Sequence, residues 1–302
     1  MKISVFTPTY NSTATLQRAY ESLENQTYKN FEWIIVDDFS SDNGATKKLI
    51  DKLTSKASFP CKTYFFNENH FGGKSLEKAS ELSSGEIIGT LDHDDQLTPT
   101  CLEKVAEYVE NHFSEEDVSC IAGRCIDKNG NLIGKKFKKD ISVHYDGYIR
   151  YKEGMMEELI VFSKTSVIKE YSKHMQKGYT YGLLWAKLST KYKTVFVNDI
   201  FRIYDTSVAT SYTNSKTLNT RFPEKHVEMN IIILDIYKKY LKYQLILTAK
   251  QLIHSNYLII KHKIKLKNLQ KTSSMIKALL YISKPLGYVK YIIRKLYFMF
   301  GL

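Results

Sequence analysis

A chain of 302 residues, 43% hydrophobic and 25% charged, can bury a sizeable core and is not a disordered protein. Its formal charge of +12 favours anionic partners. The excess belongs to residues 216–302, whose only acids are Glu224, Glu228 and Asp235, so residues 1–215 are slightly acidic and the basic stretch reads as an appendage.

Ile3 to Phe6 is a short apolar run closed by Thr7-Pro8-Thr9-Tyr10-Asn11, which predicts a buried first strand and a polar loop. Ser12 or Thr13 is placed to cap the next helix, where Leu16, Ala19, Tyr20 and Leu23 recur at helical spacing. Phe31 to Val36 is a second strand ending in Asp37-Asp38, and Ala45 to Ser55 is a helix with Leu49, Ile50 and Leu53 on one side. Thr63 to Phe66 is a third strand, Lys74 to Ser83 a helix after Gly72-Gly73, and Ile87 to Leu91 a fourth strand. Residues 97–113 form an amphipathic helix with Pro99 near its first turn, and Val118 to Cys125 a strand that turns at Asp127 to Asn131 and returns into Leu132-Ile133. Ile160 to Phe162 is a further strand, and Phe196 to Asp199 with Phe201 to Tyr204 make a closing strand and loop. Three helices follow, Val227 to Tyr243, Leu245 to Ile264 and Ser273 to Phe300, the last broken at Pro285-Gly287.

Strands alternating with helices, with polar loops after the strands, predict βαβ units and an α/β fold with a mainly parallel sheet. Right-handed crossovers gather those loops on one edge, where ligands bind in open α/β sheets. There the fourth strand delivers Asp92, Asp94 and Asp95, separated only by His93. Like charges this close need a cation or hydrogen-bond donors, unless they form a solvated acidic turn. Asp37-Asp38 and the Gly72-Gly73 loop converge on the same edge, which favours an anionic ligand bound through a metal. Two other phosphate motifs do not fit. Gly72-Gly73-Lys74-Ser75 ends like a phosphate loop but has Glu68 where GxxxxGK[ST] needs glycine, and Thr7 to Asn11 holds no glycine for a dinucleotide fingerprint. Cys61, Cys101, Cys120 and Cys125 show no CxxC pair or interleaved histidines, so reduced thiols of a cytosolic protein are expected. MKISVFTPTYN reads as neither signal nor transit peptide, and no run of about eighteen apolar residues offers a membrane-spanning helix.

Thr7-Pro8-Thr9-Tyr10-Asn11, Val36-Asp37-Asp38 with Ser40-Ser41-Asp42, and Gly85-Glu86-Ile87-Ile88 running to Leu91-Asp92-His93-Asp94-Asp95 together resemble the family-2 glycosyltransferases with the GT-A fold, over about residues 1–210. The resemblance implies a Rossmann-like catalytic domain over residues 1–215, with a nucleotide-binding half (1–98) and an acceptor half (99–215), followed by the helical region 216–302. It implies a nucleotide sugar, by expectation a UDP-sugar, held by Pro8, Thr9, Tyr10, Asn11, Asp37 and Asp38, a carboxylate being a strong acceptor for a uracil imide N–H. Lys74 is placed to reach a phosphate or the base. Asp92-His93-Asp94 matches the family's DxD, with Asp92 toward ribose or metal, Asp94 ligating Mg2+ or Mn2+, Asp95 in support and His93 a spacer. Such a cation neutralises the diphosphate leaving group as a Lewis acid. Arg202 is read as a phosphate contact or, equally, a surface salt bridge.

One stretch departs from the pattern. Related members carry a glutamate general base in a Pro-Glu-Gly-Leu-Leu-Trp-like stretch, and this chain has Tyr181 there, in Tyr179-Thr180-Tyr181-Gly182-Leu183-Leu184-Trp185. A phenol with a pKa of about 10 is a poor base. Three readings stand: Glu157 or Glu158 takes over, Tyr181 acts in a perturbed state, or the protein binds donor with little turnover. The expected acceptor is a cell-surface glycan or lipid-linked, with inversion at the anomeric carbon, at the cytoplasmic face of the membrane. Residues 206–216, rich in Ser, Thr and Asn, read as a loop that orders over the donor. The tail 284–302 interleaves aromatic and basic residues and is expected to dock on an anionic membrane surface. Specific nucleic acid is the weaker alternative, because the acid-lined edge repels a phosphate backbone.

Overall fold

The computed structural model describes residues 1–205, 221–266 and 272–300, with side chains through residue 295. Nine strands make one sheet: β1 (Ile3–Thr9), β2 (Phe31–Asp37), β3 (Cys61–Phe65), β4 (Ile87–Thr90), β5 (Gln96–Leu97), β6 (Val118–Ile126), β7 (Ile141–His144), β8 (Leu159–Lys164) and β9 (Lys193–Ile203). Their order is β3-β2-β1-β4-β8-β6-β9-β5, with β7 pairing β9. The sheet is parallel from β3 to β4, as the alternation predicts, and mixed beyond it: β8 runs antiparallel to both β4 and β6, while β6 and β9 are parallel. The helices of this half are α1 (Leu16–Glu24), α2 (Ala45–Lys56), α3 (Ser75–Leu82), α4 (Cys101–His112) and α5 (Thr165–Ser172).

The apolar periodicity is what packs these layers. Leu16, Ala19, Tyr20 and Leu23 of α1 are all buried in one core with Phe31, Trp33 and Ile35 of β2 and Val195, Val197 and Phe201 of β9. Several boundaries move. Thr15 occupies the N-cap of α1 without a side-chain cap bond, while Ser12 receives the Tyr10 N–H on its Oγ, so neither Ser12 nor Thr13 caps the helix. Pro99 precedes α4 and its carbonyl accepts from Thr27 N. The closing segment is one continuous eleven-residue strand, β9. At the opposite edge from the polar loops, Glu32 is fully buried and ties β1, β2 and β3 to the turn before β4, accepting from Ser4 Oγ (2.7 Å), Ser84 N (2.7 Å), Ser84 Oγ (2.7 Å) and Lys2 Nζ (3.0 Å), with Lys62 Nζ also at 3.0 Å. Burial raises its pKa, but the Ser84, Ser4 and Lys2 bonds outweigh that and lower it from 4.5 to about 2. A depressed carboxylate contributes stability above its unfolded pKa that is lost as pH falls toward the folded one. Glu32→Gln is therefore expected to cost on the order of 3 kcal/mol at neutral pH, the deficit shrinking between about pH 4.5 and 2 in urea titrations.

The chain forms two compact units, and the second takes Gly147–Gly154 and Gly178–Thr190 together with the C-terminal helices. It contains a π-helical turn (Tyr148–Lys152), α6 (Tyr181–Leu188), α7 (Pro223–Ile236), a 3-10 turn (Lys238–Tyr243), α8 (Leu245–His262) and α9 (Ser274–Phe300). The stretch expected as one helix to Tyr243 is thus divided after Ile236. Tyr151, Ala186, Val227, Ile231, Leu252, Leu258, Ile276 and Leu280 are buried in its own core. The expected break at Pro285-Gly287 does not occur: α9 is continuous. Pro285 lacks the N–H that would bond back along the helix, and packing against α8 compensates. Gly287 lies so close to Asn256 that a Cβ would fall 2.5 Å from the Asn256 Cβ, and Asn256 Nδ2 donates to Leu280 O (2.9 Å) and Ser283 Oγ (2.8 Å).

Candidate active site

Strand register sets the site. Thr9 pairs with Asp37 and Asp37 with Phe65, so β1, β2 and β3 end level, and Leu91 N donates to Phe6 O (2.8 Å) as β4 delivers Asp92 beside them. The loops after β1 and β2 are laced together. Asn11 N donates to Ser40 Oγ (2.8 Å), Ser41 N to Asn11 Oδ1 (2.8 Å), and Tyr10 Oη lies 3.3 Å from Ser41 Oγ, leaving the Tyr10 ring about half exposed. Asn11 adopts the left-handed conformation, which asparagine tolerates. Pro8 sits in β1 opposite Val36.

The two acids after β2 differ in task. Asp37 accepts from Thr9 Oγ1 (2.9 Å), Ser40 N (2.9 Å) and Ser40 Oγ (2.6 Å), so it shapes the loop. Asp38, also buried, accepts from the N–H groups of His70 and Gly72, each at 2.7 Å, and so holds the glycine loop against the strand ends. Gly73 is required by close approach: a Cβ there would fall 2.5 Å from the Gln176 carbonyl oxygen. Lys74 stands at the N-cap of α3, with Nζ on Glu77 Oε2 (2.6 Å).

The acid cluster is organised by an arginine. Arg202 is only 4% exposed in its side chain, and its Nη1 lies 3.2 Å from Asp95 Oδ2 and 3.8 Å from Asp92 Oδ2, its Nη2 2.8 Å from Glu158 Oε1 and its Nε 3.3 Å from Cys125 Sγ. It is neither on the surface nor free for a phosphate in this arrangement, because its donors are committed to carboxylates and a sulfur. Burial pulls its pKa down, but Cys125, Asp95, Glu158 and Asp92 more than offset that and hold it well above the ordinary value. Asp95 is fully buried, accepts from Asp205 N (2.9 Å), and has its pKa pushed up to about 8 by burial, against Arg202 and together with Asp92. Partial withdrawal from water raises Asp92 as well, Arg202 opposing and Asp94 adding to it. Asp94 is half-buried and its carboxylate accepts no hydrogen bond from any described residue.

Among the described residues no three His, Cys, Asp or Glu side chains form a ready-made metal cage. A hard cation that shares a diphosphate takes only one or two protein carboxylates, and Asp92 with Asp94 fits that donor set. Asp95 does not, being turned to Arg202 and Asp205. Glu157 and Glu158 separate: Glu158 joins Arg202 and is 41% exposed, whereas Glu157 packs against Gly134 with Oε2 buried. Tyr181 opens α6 in the second unit. Residues 206–216 lie outside the described residues.

The family model for glycosyl transferase family 2 matches residues 4–172. The chain belongs to this family. The chain is 31% identical over 210 residues to a GalNAc(5)-diNAcBac-PP-undecaprenol beta-1,3-glucosyltransferase of Campylobacter jejuni, a match covering 67% of this chain and 64% of that relative's length. It is 29% identical over 216 residues to an uncharacterized glycosyltransferase of Methanocaldococcus jannaschii, covering 67% of this chain and 70% of the other. In fold it is similar to S. aureus TarS 1–349, with a TM-score of 0.67 at 18% identity over 100% of this chain and 92% of that one. The fold of this chain is therefore GT-A.

Three residues that sequence reading passed over complete the candidate site. Arg18 of α1 donates from Nη1 to Asp205 Oδ2 (2.8 Å) and from Nη2 to the Asp94 carbonyl (3.3 Å), fixing the backbone of the acid turn. Asp205 joins that arginine to Asp95. Thr15 Oγ1 lies 2.7 Å from His93 Nδ1, so His93 anchors the turn to the start of α1 as well as spacing its acids. A basic residue one turn into the first helix was the only available signal, and it is shared by many solvated helices.

Proposed function

We propose that this transferase moves a sugar from a UDP-sugar to a lipid-linked or cell-surface glycan acceptor at an anionic membrane face, with inversion and with Mg2+ or Mn2+ at Asp92 and Asp94. The observation that carries the reading is the level row of Asp38, the Tyr10-Asn11 loop and the Asp92–Asp94 turn along one sheet edge. TarS has been solved with UDP and with UDP-GlcNAc, and the Campylobacter relative is named for a polyprenyl diphosphate-linked acceptor, which supports the donor and acceptor classes. A bound divalent cation would supply charge neutralisation for the departing diphosphate.

The chain's own residues do the rest. The loop after β1 and the carboxylate of Asp38 hold the base, and Arg18 and His93 fix the acid turn where the diphosphate lies. The acceptor hydroxyl oxygen attacks the anomeric carbon, the bond from that carbon to the diphosphate oxygen breaks, and UDP departs with the bonding pair. Glu158 takes the hydroxyl proton. Lys74 can exchange Glu77 for a phosphate oxygen, both being partly exposed. UDP at about 100 times its dissociation constant should add roughly 2.7 kcal/mol to stability in the presence of Mn2+. Asp94→Ala should lose the Mn2+-dependent part of that shift and depress transfer by about 10²–10³-fold. An equal shift with and without Mn2+, or full transfer by Asp94→Ala, would remove the metal from the reading. UDP binding without transfer in wild type would leave a nucleotide-sugar-binding module.

A further inference from the structure

The last helix presents a face that its own unit leaves uncovered. On α9, Ile276, Leu280, Ser283 and Gly287 are buried, at a spacing that follows one side of the helix against α8. The opposite side carries Tyr281 (78% exposed), Ile282 (71%), Leu286, Tyr288, Val289, Ile292 and Ile293, all exposed. Positions 282, 286, 289 and 293 follow i, i+4, i+7 and i+11, with 281, 285, 288 and 292 the stripe beside them, so this is one continuous apolar band more than three turns long. Lys277, Lys284 and Lys295 recur at i, i+7 and i+18 along one edge of that band, and all three are exposed.

Charge selects the occupant. Asp235 is the last acid of the chain, and residues 236–302 carry thirteen lysines and Arg294 and no acid. A second copy of this face would bring like charges together over an apolar contact. A nucleic acid would meet the lysines but leave the tyrosine and isoleucine band unused. An anionic bilayer satisfies both, lysines at the headgroups and the apolar band at the headgroup–acyl boundary. None of the described helices is long and apolar enough to cross a membrane.

We infer that α9 is an in-plane anchor: it packs on α8 through its small and aliphatic side and lies in an anionic lipid surface through the Tyr281–Ile293 band, with Lys277, Lys284 and Lys295 reading the lipid charge. The inference rests on the proposed function and deepens its membrane part by naming the surface. Its test uses the full chain and no acceptor. Co-sedimentation with phosphatidylcholine vesicles containing phosphatidylglycerol should retain the protein, and pure phosphatidylcholine should not. Lys277→Gln, Lys284→Gln and Lys295→Gln should each weaken partitioning about five-fold, and together about a hundred-fold. Ile282→Glu with Ile293→Glu should abolish it while the melting temperature and UDP-induced shift stay as in wild type, because both side chains face away from the unit's core. Ile282→Trp should blue-shift on vesicle addition and be quenched by brominated acyl chains. Equal binding to neutral vesicles, no binding to either, or a tryptophan that stays in water would overturn the inference. So would a dimer, seen by sedimentation velocity, that Ile282→Glu dissolves while vesicle binding is absent. Loss of UDP binding with vesicle binding intact would instead remove the donor reading.

Discussion

Arg202→Met is expected to lower the folding stability of this chain by roughly 1–3 kcal/mol, the cost of leaving the buried Asp95 carboxyl without its donor while Asp92 and Glu158 stay partly exposed to water. Asp95, Asp92 and Glu158 all face the guanidinium, and among the described residues no other lysine or arginine lies at ion-pair distance from them. The pH dependence carries the sign. A carboxylate whose pKa is higher folded than unfolded binds more protons in the folded state, so its contribution to stability falls as pH rises between the two values. Asp95 stands at about 8 even with Arg202 opposing its burial, and removing the arginine raises it further. The deficit of Arg202→Met should therefore be nearly flat up to about pH 8, where Asp95 is protonated with or without the arginine, and grow above it in urea titrations as only the wild type ionises that carboxyl. A deficit that does not change with pH would mean that the variant loses packing and not charge compensation. Arg202→Lys should recover part of the stability but not the geometry, because a single ammonium cannot hold Asp95 and Glu158 at once as the planar fork does.

The position of Arg202 was invisible in the sequence, and the reason is physical. It lies near the end of β9, whose register with β6 places it opposite Cys125, a pairing between residues 77 apart along the chain. No local period encodes that. The β1 to β4 half was legible because buried parallel strands read as apolar runs and each polar loop after them is a break that any window detects. The insertion of β8 between β4 and β6, antiparallel to both, leaves no trace in Leu159–Lys164 itself. Asp92 and Asp94 could be found because acids directly after a buried strand conflict with burial, and such conflicts mark sites. Pro285 misled for the same non-local reason: the rule that proline ends a helix is sound for an isolated helix, and Asn256 of α8, packed on Gly287 and bonded to the Leu280 carbonyl, opposes it here.

Glu158→Gln is expected to lower kcat by about 10²–10⁴-fold, the usual contribution of a positioned general base, while Glu157→Gln leaves kcat near wild type. Adjacent residues entering a strand point to opposite sides, and here Glu158 faces Arg202 beside Asp92 while Glu157 faces Gly134. Arginine pairing restrains the Glu158 carboxylate, so a structural role must be separated from a chemical one. Glutamine supplies that separation: its oxygen still accepts from Arg202 Nη2, so stability should move by no more than about 1 kcal/mol, and any large loss belongs to proton transfer. The acidic limb of the wild-type kcat–pH profile should vanish in Glu158→Gln and persist in Glu157→Gln. Full activity in Glu158→Gln together with a collapse in Tyr181→Phe would give the proton to the phenol. A phenolic base would also shift the active range upward, because an ordinary phenol ionises at a pKa of about 10. The direction of the pH profile therefore discriminates between carboxylate and phenol even before any variant is made, and the variants then say which residue owns it.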